Sequence, residues 1–221
     1  DLNVSGRLSH GVRLPLNVRF IGILSRFTGL SSSVNDSPVR FRHYTVILSG
    51  PEPQREILEQ KLTGILKVKE HPAVILGGKP DKPADMIRSG NIIYFNHLPG
   101  AAMKEVIARS ESIITRSGYT AIMELISLNC SALLIPTPGQ TEQEYLARYL
   151  AEKGWFTTIS QRKTDNAIPL PPTDPEWSDE ITRQSKMLLD RALKEMSEED
   201  QKNSGSEDTE RKPGPDLPGA V

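Results

Sequence analysis

The sequence predicts an α/β fold, a Rossmann-like parallel sheet with helices on both faces. Three observations predict it. Short runs rich in branched apolar residues recur at 43–50, 72–78, 91–96, 112–115, 131–136 and 155–159. These runs are largely apolar along their length and do not simply alternate, which marks strands covered on both faces. Amphipathic stretches of helical period separate them, and strands alternating with helices build a parallel sheet.

The elements follow in order. "HYTVILSG" is the first strand, and "PQREILEQKLTGIL" is a helix with Ile57, Leu58, Leu62 and Ile65 on one face. "PAVILGG" and "NIIYFN" are the next two strands. "GAAMKEVIARS" is a helix with Met103, Val106 and Ile107 turned inward. "SIIT" is a strand, "YTAIMELISL" a helix and "SALLIP" a strand. "TEQEYLARYLAEKG" is a helix that stops at Gly154, a usual C-terminal cap residue, and "WFTTI" is the last strand. "IPLPPTDPEW" is a proline-rich connection with extended bias. "SDEITRQSKMLLDRALKEM" is one more helix, packed on the outside. The segment from Ser197 to Val221 holds seven acidic and three basic residues and almost nothing to bury, so disorder is expected there.

Bulk composition excludes several classes. The net charge of -1 provides no overall basic field, so nucleic acid is not an expected partner. Cys130 is the single cysteine; it suits a core thiol, rules out a disulfide framework and fits a reducing, cytoplasmic setting. No run approaches the ~18 apolar residues of a membrane span. The first residues lack a signal peptide's charged start and long apolar stretch, and also an initiator methionine, so the chain reads as a piece of something longer. The four histidines, at 10, 43, 71 and 97, have no mutual ligand spacing, and neither metal nor cofactor is expected. "ILGGKPD" lacks the spacing of a phosphate loop and its Lys-Ser/Thr. Trp155 and Trp177 read as packing residues.

The chemistry concentrates at the corner Arg116–Thr120. Ligands of open parallel sheets bind beyond the carboxyl ends of strands, and this corner ends a strand and opens a helix. A helix start has free N–H groups and about half a positive charge, which suits phosphate. Gly118 allows close approach, and Ser117 can cap the helix or offer a hydroxyl. The same Ser-Gly also makes an ordinary tight turn. Glu124 shares a helical face with Thr120 and Ser127, at i, i+4 and i+7. That stripe either solvates a helix or borders a cleft, where the carboxylate would accept the two hydroxyls of a ribose. Downstream, "IPTPGQTEQEYLARYL" places a stiff loop and then Gln140, Thr141, Glu142, Gln143 and Glu144 at a helix start. Such side chains bind sugar hydroxyls, and acids there also complement the helix dipole.

The segment "TRSGYTAIMELISLNCSALLIPTPGQTEQEYLARYLAEKG" resembles the donor-binding part of GT-B glycosyltransferases. The type is the family-28 C-terminal domain, as in the peptidoglycan N-acetylglucosaminyl transferases. "PTPGQTEQEYLA" is also similar to an uncharacterised glycosyltransferase-like group common in Bacteroidetes. The likeness covers roughly residues 20–160 and is tightest over 112–154. It implies the C-terminal lobe of a GT-B fold, with Glu124 on the ribose hydroxyls. Ser117, Gly118, Tyr119 and Thr120 would take the donor diphosphate. "FIGILSRF" resembles the family's Gly-x-x-x-Arg strand and adds Arg26 to that set. Gly50 stands where the family has a glycine-rich loop, with Pro51 in place of its serine. His97 and Leu98, in "NHLPG", fall where family members hold the base. Gln140, Gln143 and Glu144 would face the donor sugar, with Glu144 replacing a family glutamine.

The implied division is a lead-in over 1–19 from a missing acceptor lobe, a donor-binding domain over 20–165, a connection and outer helix over 166–196, and a disordered acidic tail over 197–221. The implied reaction is inverting, metal-independent transfer of a hexosyl or N-acetylhexosaminyl group from a nucleotide sugar, with UDP the expected nucleotide. No residue of this chain matches the family's catalytic base. The base would come from the N-terminal acceptor lobe, in cis or in trans, with any peripheral membrane contact made through that lobe. A nucleotide-sugar 2-epimerase lobe and a non-catalytic donor-binding subunit are the alternatives.

Overall fold

The computed structural model describes residues 3–10, 13–15, 17–30, 42–69, 71–164 and 180–207. In chain order the elements are β1 (His43–Ile47), α1 (Gln54–Lys69), β2 (Ala73–Leu76), β3 (Met86–Ser89), β4 (Ile92–Phe95), α2 (Gly100–Ala108), β5 (Ser110–Thr115), α3 (Tyr119–Ser127), β6 (Leu133–Leu134), α4 (Thr141–Glu152), β7 (Thr157–Thr158) and α5 (Glu180–Glu207). Among the described residues one seven-stranded sheet forms, in the order β3-β4-β2-β1-β5-β6-β7. Every pairing is parallel except β3 with β4.

Continuous apolar strands arise because successive side chains enter different cores. Val74 and Leu76 of β2, Ile93 and Phe95 of β4, Ile113 of β5 and Leu134 of β6 pack with α2, α3 and α4. Their neighbours Ala73, Ile75, Ile92, Ile114 and Leu133 pack with α1. Helices therefore cover both faces, as expected. The chain steps from β1 to β2 behind α1, then returns past β1 to β5 on the opposite face. That reversal leaves a crevice between the carboxyl ends of β1 and β5.

Several expectations need correction. Ile57 is exposed; the buried stripe of α1 is Leu58, Leu62, Ile65 and Leu66. No helix joins the strands at 72–78 and 91–96. The connection holds β3, an exposed antiparallel edge strand whose sequence, Met-Ile-Arg-Ser, has no buried face to advertise it. "ILGGKPD" serves packing: a Cβ on Gly77 would meet Tyr94 Oη at 2.0 Å, and one on Gly78, at φ +63°, would meet Leu48 O at 2.3 Å.

"FIGILSRF" is not a strand. It crosses the α2/α3 side of the domain, with Phe27 buried in that core. Residues 3–10, set apart by the expected boundary at 19/20, also pack on the domain. Val4 is buried, Tyr149 donates to Asn3 O at 2.7 Å, and Arg7 N–H donates to Tyr145 Oη at 2.7 Å. Helix α5 closes over this lead-in: Ser185 Oγ accepts Ile23 N–H at 3.0 Å, and Arg19 pairs with Glu195 at 2.6 Å. The helix does not stop at residue 196 but continues to Glu207, so 197–207 is helical where disorder was expected. The connection 168–177, with Trp177, and residues 208–221 lie outside the described residues. Cys130 and Trp155 pack in or against the core, as read from sequence.

Candidate functional site

A cavity of about 490 Å³ opens at the crevice. Its floor is formed where β1 and β2 end, at Ile47, Leu48 and Leu76, and one wall is the first turn and a half of α3. Arg26, His97, Leu98, Gly118, Tyr119, Thr120 and Glu124, separated by up to 98 positions in sequence, all line it. Sequence reasoning did not single out Ser49, Pro80 and Met103, which also line it. Gly50, Ser117, Gln140, Gln143 and Glu144 do not.

The corner that opens α3 is held from beneath by Arg116, one residue past the end of β5. It is fully buried. Its guanidinium donates to Ile135 O and Pro136 O at 3.2 Å and to Gln54 O at 2.7 Å, joining the β6 exit to the α1 start. Among the described residues no carboxylate pairs with it. Burial lowers its pKa to about 10, so it remains cationic at neutral pH. The signal was an arginine directly after the apolar "SIIT", a place where a cation needs dedicated acceptors.

Ser117 departs from both expected roles. Its buried hydroxyl donates to Gln143 O at 2.8 Å, fastening the start of α3 to α4 and pointing away from the cavity. The N-cap of α3 is Gly118, and no side chain caps it. The first amides of α3 are thus left to a ligand or water. Gly118 has φ -72°, which any residue adopts, and a Cβ there would meet nothing within 4 Å. Nothing inside the protein requires this glycine; what it preserves is open space above a helix start. Gly118→Val should therefore leave stability within about 0.5 kcal/mol, measured by thermal unfolding. A cost of several kcal/mol would show that the glycine has an internal role.

Glu124 does not solvate the helix. It is buried, and its stripe faces the lead-in: Ser127 Oγ donates to Ser25 Oγ at 2.7 Å, and Glu124 pairs with Arg26. Burial raises the Glu124 pKa, and the Arg26 guanidinium pulls it back. Tyr119 stands between this cavity and a second one of about 430 Å³ beside α5, and burial raises its hydroxyl pKa. Thr120 is exposed at the rim. His97 Nδ1 lies 3.3 Å from Lys79 O, which fixes its ring at the far end beside Leu98 and Pro80.

The remaining expected residues brace loops. Gln143 Oε1 accepts Thr137 N–H at 2.9 Å, its amide donates to Gln140 Oε1, and Glu144 Oε1 accepts Gly139 N–H at 3.0 Å. The loop before α4, stiffened by Pro138, leaves amides that these side chains satisfy. Gly50, at φ +96°, lies over Thr137. Among the described residues no cluster of three or more His, Cys, Asp or Glu could hold a metal, and no helix is long and apolar enough to cross a membrane.

The model of the glycosyltransferase family 28 C-terminal domain matches residues 57–168, which include the corner, Glu124 and the loop before α4. The chain belongs to this family. Its curated relatives include UDP-N-acetylglucosamine–N-acetylmuramyl-(pentapeptide) pyrophosphoryl-undecaprenol N-acetylglucosamine transferase of Staphylococcus aureus (strain JH9). That protein is 27% identical over 124 residues, covering 55% of this chain and 34% of the relative. The protein of the same name from Leuconostoc mesenteroides is 22% identical over 196 residues, covering 88% of this chain and 41% of the relative. The family-28 chain thus spans about a third to two fifths of the length of these relatives. Among solved structures, the glycotransferase of kitacinnamycin superposes with a TM-score of 0.51 at 14% identity, covering 79% of this chain and 45% of that one. That likeness is one of fold, the GT-B arrangement.

Proposed function

We propose that this family-28 domain binds the nucleotide-sugar donor, a UDP-sugar, for an inverting, metal-independent glycosyltransferase that moves a hexosyl or N-acetylhexosaminyl group. The observation that carries the reading is the uncapped, glycine-cleared start of α3 opening into the same cavity as Glu124. One helix then presents a partial positive charge for a diphosphate at its tip and a carboxylate for a ribose about 9 Å further along. The names of the relatives include UDP-N-acetylglucosamine, which favours uracil as the base.

In this reading the amides of Gly118, Tyr119 and Thr120 receive the diphosphate, with Arg26 as its side-chain partner. Glu124 accepts the ribose hydroxyls. Pro80, His97 and Leu98 enclose the base. As the sugar leaves, negative charge grows on the departing diphosphate, and the fixed helix start and guanidinium stabilise it without reorganising. The acceptor hydroxyl attacks the anomeric carbon from the opposite face, and the base that takes its proton comes from an N-terminal acceptor lobe, in cis or in trans. Peripheral membrane contact, where it occurs, belongs to that lobe.

Calorimetry with UDP, GDP and dTDP tests the reading. UDP should bind in the micromolar-to-millimolar range, about -4 to -8 kcal/mol, and Gly118→Val should weaken it at least tenfold. Failure of all three nucleotides to bind at millimolar concentration would remove the donor-lobe reading.

A further inference from the structure

The two side chains assigned to different parts of the donor hold each other. Arg26 Nε lies 2.8 Å from Glu124 Oε1, and its Nη2 lies 3.3 Å from Oε2, so the guanidinium engages both carboxylate oxygens. The same Nη2 sits 2.9 Å from Met103 Sδ, and the guanidinium carbon lies 5.1 Å from the centre of the Phe27 ring, which steady it in that position. The carboxylate side chain is only 11% exposed, whereas the arginine side chain is 52% exposed. Glu124 therefore cannot leave, and Arg26 can.

We infer that Arg26 guards Glu124: it occupies the ribose acceptor until an anion at the start of α3 draws the guanidinium away. This rests on the donor-lobe reading above. A ribose diol arriving alone must compete with a charge-assisted fork for the same two oxygens, and its neutral hydroxyls are the weaker donors. A diphosphate at Gly118 offers Arg26 a replacement anion within the same cavity. The pocket then rejects bare nucleosides and accepts nucleoside diphosphates, beyond what the phosphate contacts alone contribute. Phosphate and ribose recognition become coupled, and coupling of this kind is reciprocal.

Pyrophosphate and uridine, added separately and together to the full chain, test the inference by ligand-observed NMR. In the wild type, saturating pyrophosphate should raise uridine affinity about fivefold or more, the usual lower range of such couplings. In Arg26→Ala, uridine should bind at the raised level without pyrophosphate, and pyrophosphate should add nothing. Uridine affinity that is unchanged or lowered by pyrophosphate in the wild type would overturn the inference, whatever the variant does. So would an Arg26→Ala protein that binds uridine no better than wild type while UDP binding weakens, because Arg26 would then be a phosphate ligand only. Absence of UDP binding to the wild type is the separate result that removes the donor-lobe reading itself.

Discussion

Replacing Arg116 with alanine should destabilise the domain by about 4 kcal/mol, a large share of the 5–15 kcal/mol that holds typical domains folded. Two losses add. A large, fully buried side chain leaves a cavity, and the carbonyls of Gln54, Ile135 and Pro136 lose their donor. Arg116→Met separates the two, because it keeps most of the volume and removes only the donors. Arg116→Lys keeps the charge, yet one ammonium cannot replace a planar fork that spans the exits of two elements. Urea unfolding of the three variants is the measurement. A cost below about 1 kcal/mol for alanine would mean that the three carbonyls find water and that the corner does not depend on this clip.

The second large effect is on binding. Glu124→Gln should weaken UDP about tenfold or more, since each charge-assisted hydrogen bond to a ribose hydroxyl contributes roughly 1.5–3 kcal/mol. 2′,3′-Dideoxy-UDP, which lacks both hydroxyls, should lose nothing in the variant. Stability should move the other way. Burial raises the Glu124 pKa in the folded state, so the folded domain favours the protonated form. That contribution is fully present below the unfolded pKa and is lost as pH rises through the raised folded pKa. Glutamine removes this loss, so the melting temperature of the variant relative to wild type should climb as pH rises from below the ordinary glutamate value through the raised folded pKa. Equal UDP affinity in the two proteins would take Glu124 out of the site; a variant that falls behind as pH rises would mean that the Arg26 pair outweighs the burial.

The sheet was legible because burial on both faces leaves a record of consecutive branched residues, as in Ile113 and Ile114 or Leu133 and Leu134, each pair divided between two cores. Where burial is absent the record is absent. β3 lies exposed on an edge and left no pattern. "FIGIL" misled for the opposite reason: it has a strand's composition but packs beside α5 and outside the sheet. At the site, the i, i+4, i+7 spacing put Thr120, Glu124 and Ser127 on one face of α3; the first two line the cavity, and Ser127 turns to Ser25 instead. Spacing could not tell which way Ser117 turns. Its partner, the Gln143 carbonyl, is supplied by a different crossover. The same limit applies to Gln143 and Glu144, whose groups suit a sugar and suit the amides of their own loop equally well. Arg26 was placed by resemblance, but its pairing with Glu124 is a tertiary contact across 98 positions that no local pattern encodes.

The lead-in that delivers Arg26 has a consequence for the order in which the domain assembles. Its hydrogen bonds reach partners 138, 146, 162 and 176 positions away, on α4 and α5. Closing loops of that size costs chain entropy that only an already formed docking surface can offset. The β1–β7 body, built largely from neighbouring crossovers, can form the α4 part of that surface without the lead-in. The lead-in should then be among the last segments to find its place, and the crevice should exist before its arginine does. Pulse-labelled hydrogen exchange during refolding should show amides of β1, β2 and β5 protected ahead of Arg7 and Ile23. Late docking would also make this strap the first segment to detach under mild denaturant, opening the cavity from the Arg26 side while the sheet beneath it stays intact.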